Sequence, residues 1–176
     1  MTASNKVDFD RLFRAYDIRG VFPEQLDENA ATMLGVAFAK FLGEGREVVV
    51  GRDVRLSGER LAGGLVAGLS SSCNVTDIGV VSTPMVFFAT NRLRKDAGIM
   101  ITASHNPPEW NGFKMFSQKG CIYGEKMDEI KKIAKTINLS KLGSKRGKTT
   151  KYEGIFELYT DFVSSKIKVQ RKLKVV

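Results

Sequence analysis

The stretch TASHNPPEWNG, residues 102–112, holds the side chains best suited to covalent chemistry. Its polar residues are Thr102, Ser104, His105, Asn106 and Asn111, and two consecutive prolines lie among them. Because proline fixes its φ angle and cannot extend a helix or a central strand, this loop should be rigid. A rigid loop can preorganise a serine nucleophile. It can equally be a polar turn whose side chains satisfy their own backbone, and both interpretations remain open.

The simplest nucleophile would be Ser104 activated by the neighbouring His105, which is the chain's one histidine. Adjacent residues in a strand or a turn seldom face each other, so this pair has poor geometry for a dyad. The chain also lacks the G-x-S-x-G sequence that places the serine of α/β-hydrolases. These two observations disfavour a serine hydrolase.

A second polar cluster lies in FRAYDIRG, residues 13–20, and contains Arg14, Tyr16, Asp17 and Arg19. Arginines on a glycine-containing loop are suited to planar, bidentate recognition of phosphate. The alternative is an N-terminal strand with surface ion pairs, which is the commoner outcome for such a segment. In GRDVR, residues 51–55, Asp53 can pair with either flanking arginine, and we expect structural support there rather than catalysis.

The elements that must position these residues alternate between short apolar runs and amphipathic segments. Strands are predicted at residues 48–50, 75–81, 97–101 and 113–116, and helices at 27–42, 57–71, 83–93 and 125–137. This alternation is typical of an α/β protein with three layers, α/β/α, around a mixed and mostly parallel sheet. The loop at 102–112 would leave the carboxyl end of a buried strand, where open α/β sheets bind ligands. The strand after it should be antiparallel, since no crossover helix intervenes.

Further local expectations follow from the same pattern. Ser57 should cap the second long helix, and the run of Gly and Ala in that helix implies close packing against the sheet. The polar, basic stretch at 139–151 is predicted to be a linker or an exposed hairpin. A helix should follow at 155–167, with Phe156, Tyr159, Phe162 and Val163 on its apolar face. Residues 173–176 read as the start of another strand.

The composition excludes several classes of protein. The 176 residues are 43% hydrophobic and 27% charged, and no apolar run is long enough to cross a membrane. The first residues contain no apolar signal region, and the two cysteines lack metal-ligand spacing, so a reducing cytoplasm is expected. The net charge is +9, and all of the excess lies in residues 131–176, where 13 basic and three acidic residues give +10. Residues 1–130 carry a net charge of −1. Few aromatic residues lie among these lysines, so nucleic-acid binding is not expected.

Three segments together resemble one enzyme family. TASHNPPEWNGFK (102–114), FRAYDIRG (13–20) and GRDVRLSG (51–58) are similar to motifs of the α-D-phosphohexomutases, in particular the phosphomannomutase/phosphoglucomutase branch. The resemblance implies an intramolecular phosphotransferase that interconverts hexose 6-phosphate and hexose 1-phosphate. It implies a phosphoserine as the phosphoryl carrier and a bisphosphorylated sugar as the intermediate, with mannose, glucose or both as the sugar.

The resemblance also assigns roles to individual residues. Ser104 would carry the phosphoryl group, and Lys114 would handle the proton of the sugar hydroxyl. The remaining matched positions, which would contact substrate or phosphate, are Tyr16, Arg19, His105 and Asn106. Mg²⁺ would be held by the phosphate on Ser104 and, mainly, by an Asp-rich loop of a domain that these residues do not contain. A hexose 1,6-bisphosphate would act as activator.

The resemblance divides the chain into an N-terminal phosphohexomutase domain, residues 1–150, and a connecting helix and first strand of an incomplete second domain, residues 151–176. The chain would then look truncated, would contact C-terminal domains of a longer enzyme, and would be inactive by itself. A phosphoglucosamine or phosphopentose mutase is the alternative within the family. Outside it, the chain could be a non-catalytic module that binds sugar phosphates or polyanions.

Overall fold

The computed structural model describes residues 7–142, 144, 147–168, 171, 172 and 174. Within them, a sheet of seven strands lies between two layers of helices, which confirms the three-layer α/β/α prediction. The strands are β1 (Ile18–Val21), β2 (Glu47–Arg52), β3 (Asn74–Val80), β4 (Ala97–Ile101), β5 (Trp110–Ser117), β6 (Gly120–Cys121) and β7 (Thr149–Lys151). The helices are α1 (Phe9–Leu12), α2 (Glu28–Leu42), α3 (Gly58–Leu69), α4 (Thr83–Arg92), α5 (Glu125–Thr136) and α6 (Ile155–Lys166).

The strand order is β1-β5-β4-β2-β3-β7, and β6 pairs with β5. Strand β2 is parallel to β3 and β4, and β7 is parallel to β3. Strand β5 is antiparallel to β1, β4 and β6, so it alone runs against the others among the described strands. The antiparallel return predicted after the polar loop is therefore confirmed, although β5 begins three residues earlier than predicted.

Alternating apolar side chains on the strands pack against both helical layers. Val48 and Val50 of β2 point into the larger buried cluster, which also takes residues from α1, α2, α3 and α5. Val49 points the other way, into a cluster with residues of α4 and α6. A strand buried on both faces must be apolar at consecutive positions, which explains the Val48–Val50 run. The described residues contain no helix long and apolar enough to span a membrane.

Some helix boundaries follow directly from local chemistry. The Asp27 side chain accepts a hydrogen bond from the Ala30 N–H at 2.7 Å, which begins α2, and Gly43 ends it with a φ of +97°. Pro84 lies in the first turn of α4. Ser57 is the N-cap residue of α3, as predicted, but its side chain makes no capping hydrogen bond. Its hydroxyl instead accepts a hydrogen bond from Asn111, 54 residues away.

Two further expectations need correction. Gly64 and Gly68 of α3 pack closely against α2 rather than the sheet, since a Cβ on either would overlap a carbonyl oxygen of α2, that of Glu28 or of Thr32. The stretch at 139–151 contains a short 3₁₀ helix, Leu139–Lys141, and then β7, which adds to the edge of the sheet beside β3. The open edge of β3 supplies backbone partners that a sequence pattern does not reveal. The strand start predicted at 173–176 lies outside the described residues except for Lys174.

Candidate active site

The loop that follows β4 keeps Ser104 exposed in an unusual backbone conformation. Ser104 has a φ of +57°, a left-handed value that is uncommon for residues other than glycine. Its N–H donates to Thr102 Oγ1 at 2.9 Å, and that hydroxyl donates to Asp53 Oδ2 at 2.7 Å. A hydrogen-bonded chain therefore joins the serine to the carboxyl end of β2, and the serine side chain faces solvent.

The base of this loop is closed by a buried amide. The Asn111 side chain has no exposed surface and donates to Ser57 Oγ at 2.8 Å, while its Oδ1 accepts from the Gly112 N–H at 2.8 Å. The Thr102 N–H donates to the Gly112 carbonyl at 2.9 Å, which joins the two ends of the loop. Because buried polar groups are costly when unpaired, these bonds fix where the loop leaves and re-enters the sheet.

Arg55 lies against the same loop and is its main external hydrogen-bond donor. Its guanidinium donates to the carbonyl oxygens of Ser104, Asn106, Pro107 and Trp110 at distances of 2.7–3.0 Å. Its Nε is 3.2 Å from Asp53 Oδ2, so Asp53 pairs with Arg55. The expectation that GRDVR supplies structural support agrees with these contacts.

A cluster of charges lies where β1 meets β5. Asp17 Oδ2 accepts hydrogen bonds from Arg19 Nε at 2.9 Å, Arg19 Nη2 at 2.8 Å and Lys114 Nζ at 2.7 Å. The antiparallel register pairs Ile18 with Phe113, and continuing it by one residue sets Asp17 opposite Lys114. Arg19 Nη1 also donates to Asn106 Oδ1 at 2.7 Å, which connects this cluster to the Ser104 loop.

The Asp17 carboxylate is held in its charged form. Burial raises the pKa of this carboxyl, but hydrogen bonds from Arg19 and Lys114 outweigh burial, so the pKa lies below its usual value. FRAYDIRG therefore contains a strand with an ion pair, which was the structural interpretation of this segment in the sequence analysis. The pair is partly buried rather than superficial, because Asp17 is only 4% exposed.

Four of the six matched positions line one open pocket of about 570 Å³. They are Tyr16, Arg19, Asn106 and Lys114. Tyr16 is 69% exposed, and its ring centroid lies 6.2 Å from that of Tyr123. Ser104 and His105 adjoin this pocket through Asn106 and do not line it. Arg14 and Trp110 also line the pocket, although the family resemblance gave neither a role in binding. The position of Arg14 within FRAYDIRG, beside Tyr16 and Arg19, could have identified it.

The Ser104 and His105 side chains lie at the outer limit of hydrogen bonding. Ser104 Oγ is 3.4 Å from His105 Nδ1, and both residues are exposed. No carboxylate is hydrogen-bonded to His105 among the contacts of the described residues. A base that is neither close nor oriented makes a Ser–His dyad a poor description of the site.

The described residues do not form a magnesium site by themselves. They contain no group of three or more His, Cys, Asp or Glu side chains arranged to hold a metal ion. The carboxylate that reaches the Ser104 loop, Asp53, is engaged by Thr102 and Arg55. From the sequence, this chain is expected to contribute one Mg²⁺ ligand, the phosphate on Ser104. That expectation stays a prediction.

Comparisons with known proteins agree with the fold and the motifs. A family model described as phosphoglucomutase/phosphomannomutase, alpha/beta/alpha domain I, matches residues 10–141. The phosphomannomutase/phosphoglucomutase of Pseudomonas syringae pv. tomato is 39% identical over 170 residues, which cover 95% of this chain and 36% of that protein. The phosphomannomutase of Methanocaldococcus jannaschii is 36% identical over 165 residues, with 92% and 36% coverage.

A solved structure shares the same architecture. The crystal structure of a phosphoglucomutase/phosphomannomutase family protein from Burkholderia thailandensis matches with a TM-score of 0.81 and 34% identity, over 94% of this chain and 38% of that one. The chain thus spans little more than a third of the length of these relatives. On the family model and these identities, the chain belongs to the phosphoglucomutase/phosphomannomutase family and carries its α/β/α domain I.

Proposed function

We propose that this chain is the phosphoserine-bearing domain of a hexose phosphate mutase, with mannose phosphate, glucose phosphate or both as substrate. The observation that carries the proposal is the conformation of Ser104, exposed at the carboxyl end of β4 with a left-handed backbone held by hydrogen bonds. Relatives are named as phosphomannomutase and as phosphoglucomutase, which supports a hexose phosphate without choosing the sugar.

In the proposed reaction, a phosphoryl group on Ser104 passes to a hydroxyl of the bound hexose phosphate. The bond between phosphorus and the serine oxygen breaks, a bond to the sugar oxygen forms, and the serine oxygen takes up a proton. The proton that the sugar hydroxyl loses is handled by Lys114 and ends on the serine oxygen, while Asp17 holds the Lys114 side chain in place. Such transfers depend mostly on positioning and charge, which a rigid loop beside cations can provide.

The other pocket residues would bind rather than react. Arg19 is fixed by Asp17 and Asn106, so its guanidinium is preorganised for a phosphate at the pocket edge. Tyr16 and His105 expose polar groups that can donate to phosphate or sugar oxygens. A hexose 1,6-bisphosphate would load Ser104. We expect little or no turnover from the chain alone, because its described residues form no metal cluster to neutralise the transferred group.

Covalent labelling tests the proposal directly. The chain is incubated with glucose 1,6-bisphosphate and Mg²⁺, and its intact mass and peptide map are measured beside those of Ser104→Ala. We expect one added phosphate on Ser104 in the wild type, none in Ser104→Ala, and normal labelling of Ser140→Ala, which removes an exposed serine elsewhere. Equal labelling of the wild type and Ser104→Ala would contradict the mechanism and favour a module that only binds sugar phosphates.

A further inference from the structure

The contacts of Arg55 extend over the whole Ser104 loop. Nη2 donates to the carbonyls of Ser104 and Asn106, and Nη1 donates to those of Pro107 and Trp110. The Arg55 side chain is 12% exposed, although it lies beside an exposed loop. One guanidinium thus fixes four carbonyl oxygens that span seven residues of the loop.

The loop needs such an external donor because of its prolines. Pro107 and Pro108 have no N–H, so the peptide groups of Asn106 and Pro107 offer a carbonyl and no donor. Carbonyls therefore outnumber the backbone donors that could satisfy them locally. The planar guanidinium carries five N–H groups in a fixed arrangement and can meet several carbonyls at once.

The same arginine connects to both peptide groups of Ser104. Its Nη2 holds the Ser104 carbonyl at 2.9 Å, and its Nε binds Asp53 Oδ2. Asp53 Oδ2 also accepts from Thr102 Oγ1, which accepts in turn from the Ser104 N–H. The N–H and the C=O of the serine are thus fixed by one network, which can hold φ at +57° against its intrinsic cost.

We propose that Arg55 is the positioning residue of the Ser104 loop: it fixes the four carbonyls and Asp53, and so maintains the left-handed conformation that exposes the serine hydroxyl. Arg55 acts through the backbone and does not line the pocket beside Lys114. The effect of Arg55 on phosphoryl transfer rests on the proposed function, whereas its effect on the conformation of the loop does not.

Arg55→Lys keeps the positive charge but removes the planar set of donors, since one ammonium cannot reach four carbonyls and Asp53 together. Arg52→Lys is the matched control. Arg52 is three residues away and partly buried, and it forms an ion pair with Asp77 at 4.0 Å rather than with the loop. Far-UV circular dichroism and thermal unfolding show whether each variant is folded.

The first measurement is amide hydrogen exchange over residues 102–112. Hydrogen-bonded amides in this range include those of Ser104, Asn106 and Trp110. In Arg55→Lys we expect these amides to exchange about tenfold faster or more, with no change in Arg52→Lys. The fluorescence of Trp110, the single tryptophan, should change in the same variant. Wild-type exchange and fluorescence in folded Arg55→Lys would overturn the proposal.

Two further measurements separate positioning from general destabilisation. In Arg55→Ala, guanidinium ion at millimolar concentration should restore loop protection, although this ion otherwise favours unfolding. Absence of rescue would contradict a role for the guanidinium itself. Asp53→Asn keeps Arg55 but weakens its anchor, so it should speed exchange of the same amides to a smaller extent. Unchanged exchange in this variant would also contradict the network.

Loading of Ser104 from glucose 1,6-bisphosphate gives the catalytic readout. In Arg55→Lys, the loading rate at saturation should fall at least about tenfold while the half-saturating concentration stays near the wild-type value, since Arg55 does not line the pocket. A higher half-saturating concentration with an unchanged maximal rate would overturn the positioning role. If the wild type takes no phosphate, the labelling gives no support to the proposed function, and the exchange experiment still decides whether Arg55 holds the loop.

Discussion

At the scale of single residues, Asp17 combines burial with two cationic partners. The residue is 4% exposed, and its carboxylate accepts hydrogen bonds from Arg19 and Lys114. Burial alone would raise the pKa of this carboxyl, and the two cations lower it below the usual value. Removing the negative charge would leave both cations without their common acceptor, so Asp17 orders the charged side of the pocket.

This pairing predicts a pH-dependent contribution to stability. Because the pKa of Asp17 is lower in the folded state than in the unfolded state, its contribution is complete above the unfolded pKa of about 3.9 and is lost as pH falls through the folded pKa. Asp17→Asn should lower the free energy of unfolding by about 1–3 kcal/mol at neutral pH. Urea unfolding of wild type and variant at neutral pH and near pH 3 measures the difference.

The difference between wild type and Asp17→Asn should narrow in acid, because the unfolded wild type there binds a proton that the folded Asp17 carboxylate resists. Asp161→Asn, at an exposed position on α6, should change stability by less than about 0.5 kcal/mol at either pH. If the difference in free energy of unfolding between wild type and Asp17→Asn is equally large in acid, the charge of this carboxylate is not what stabilises the folded chain.

At the scale of elements, α2 and α3 approach each other through glycines. A Cβ on Gly68 would overlap the Thr32 carbonyl oxygen and lie 2.8 Å from the Val36 nitrogen, both in α2. Gly63, on the same helix, has no atom within 4 Å of an added Cβ. The two glycines therefore differ in packing and share a helical backbone, which makes them a matched pair.

Gly68→Ala should force the helices apart and destabilise the chain by about 1–3 kcal/mol or more. Gly63→Ala should instead stabilise it by about 0.5–1 kcal/mol, since alanine is favoured over glycine within a helix. Chemical unfolding monitored by circular dichroism gives both values. Equal effects in the two variants would mean that the close contact between α2 and α3 does not limit side-chain size.

The elements predicted from the sequence were those with a strong local pattern. Apolar alternation and caps located α2, β2, β3 and α4 within a residue or two of their observed ends. Strand β7 was missed because its three residues are exposed and basic or hydroxylic, so only pairing with the open edge of β3 makes them a strand. The glycines of α3 predicted a close contact, but only the packed structure shows that α2 is the partner.

At the scale of the whole molecule, β7 and α6 are packed onto the rest of the sheet domain. Strand β7 spans the predicted boundary between residues 150 and 151. Ile155 of α6 is 2% exposed and belongs to the same buried cluster as Val86 of α4. Phe88 of α4 lies with its ring centroid 5.3 Å from that of Tyr159. These contacts predict that α6 unfolds together with the sheet.

Ile155→Ala should therefore lower the stability of the entire unit by about 2–5 kcal/mol. The matched substitution Phe156→Ala should cost less than about 0.5 kcal/mol, because Phe156 is 64% exposed despite its place on the predicted apolar face. Unfolding is followed by Trp110 fluorescence and by circular dichroism. Coincident shifts of both signals are expected, and a separate early transition in circular dichroism alone would show that α6 is an independent unit.

The sequence by itself determined the α/β class, the order of the main elements, and the family through TASHNPPEWNGFK and FRAYDIRG. These features are encoded locally, in hydrophobic periodicity, caps and contiguous motifs. It also named Ser104 and Lys114, whose chemical roles remain predictions. The three-layer arrangement followed from the alternation of elements, since each apolar face must be covered.

Only the tertiary structure decided which polar groups meet. Asp17 reaches Lys114 across 97 residues because β1 and β5 are adjacent antiparallel strands, and Arg55 reaches Ser104 because β2 and β4 are adjacent parallel strands. The strand order also lets Asn111 of β5 reach the hydroxyl of Ser57, which follows β2. Strand order and register are long-range properties, so the hydrogen bonds they create cannot be read from spacing along the chain.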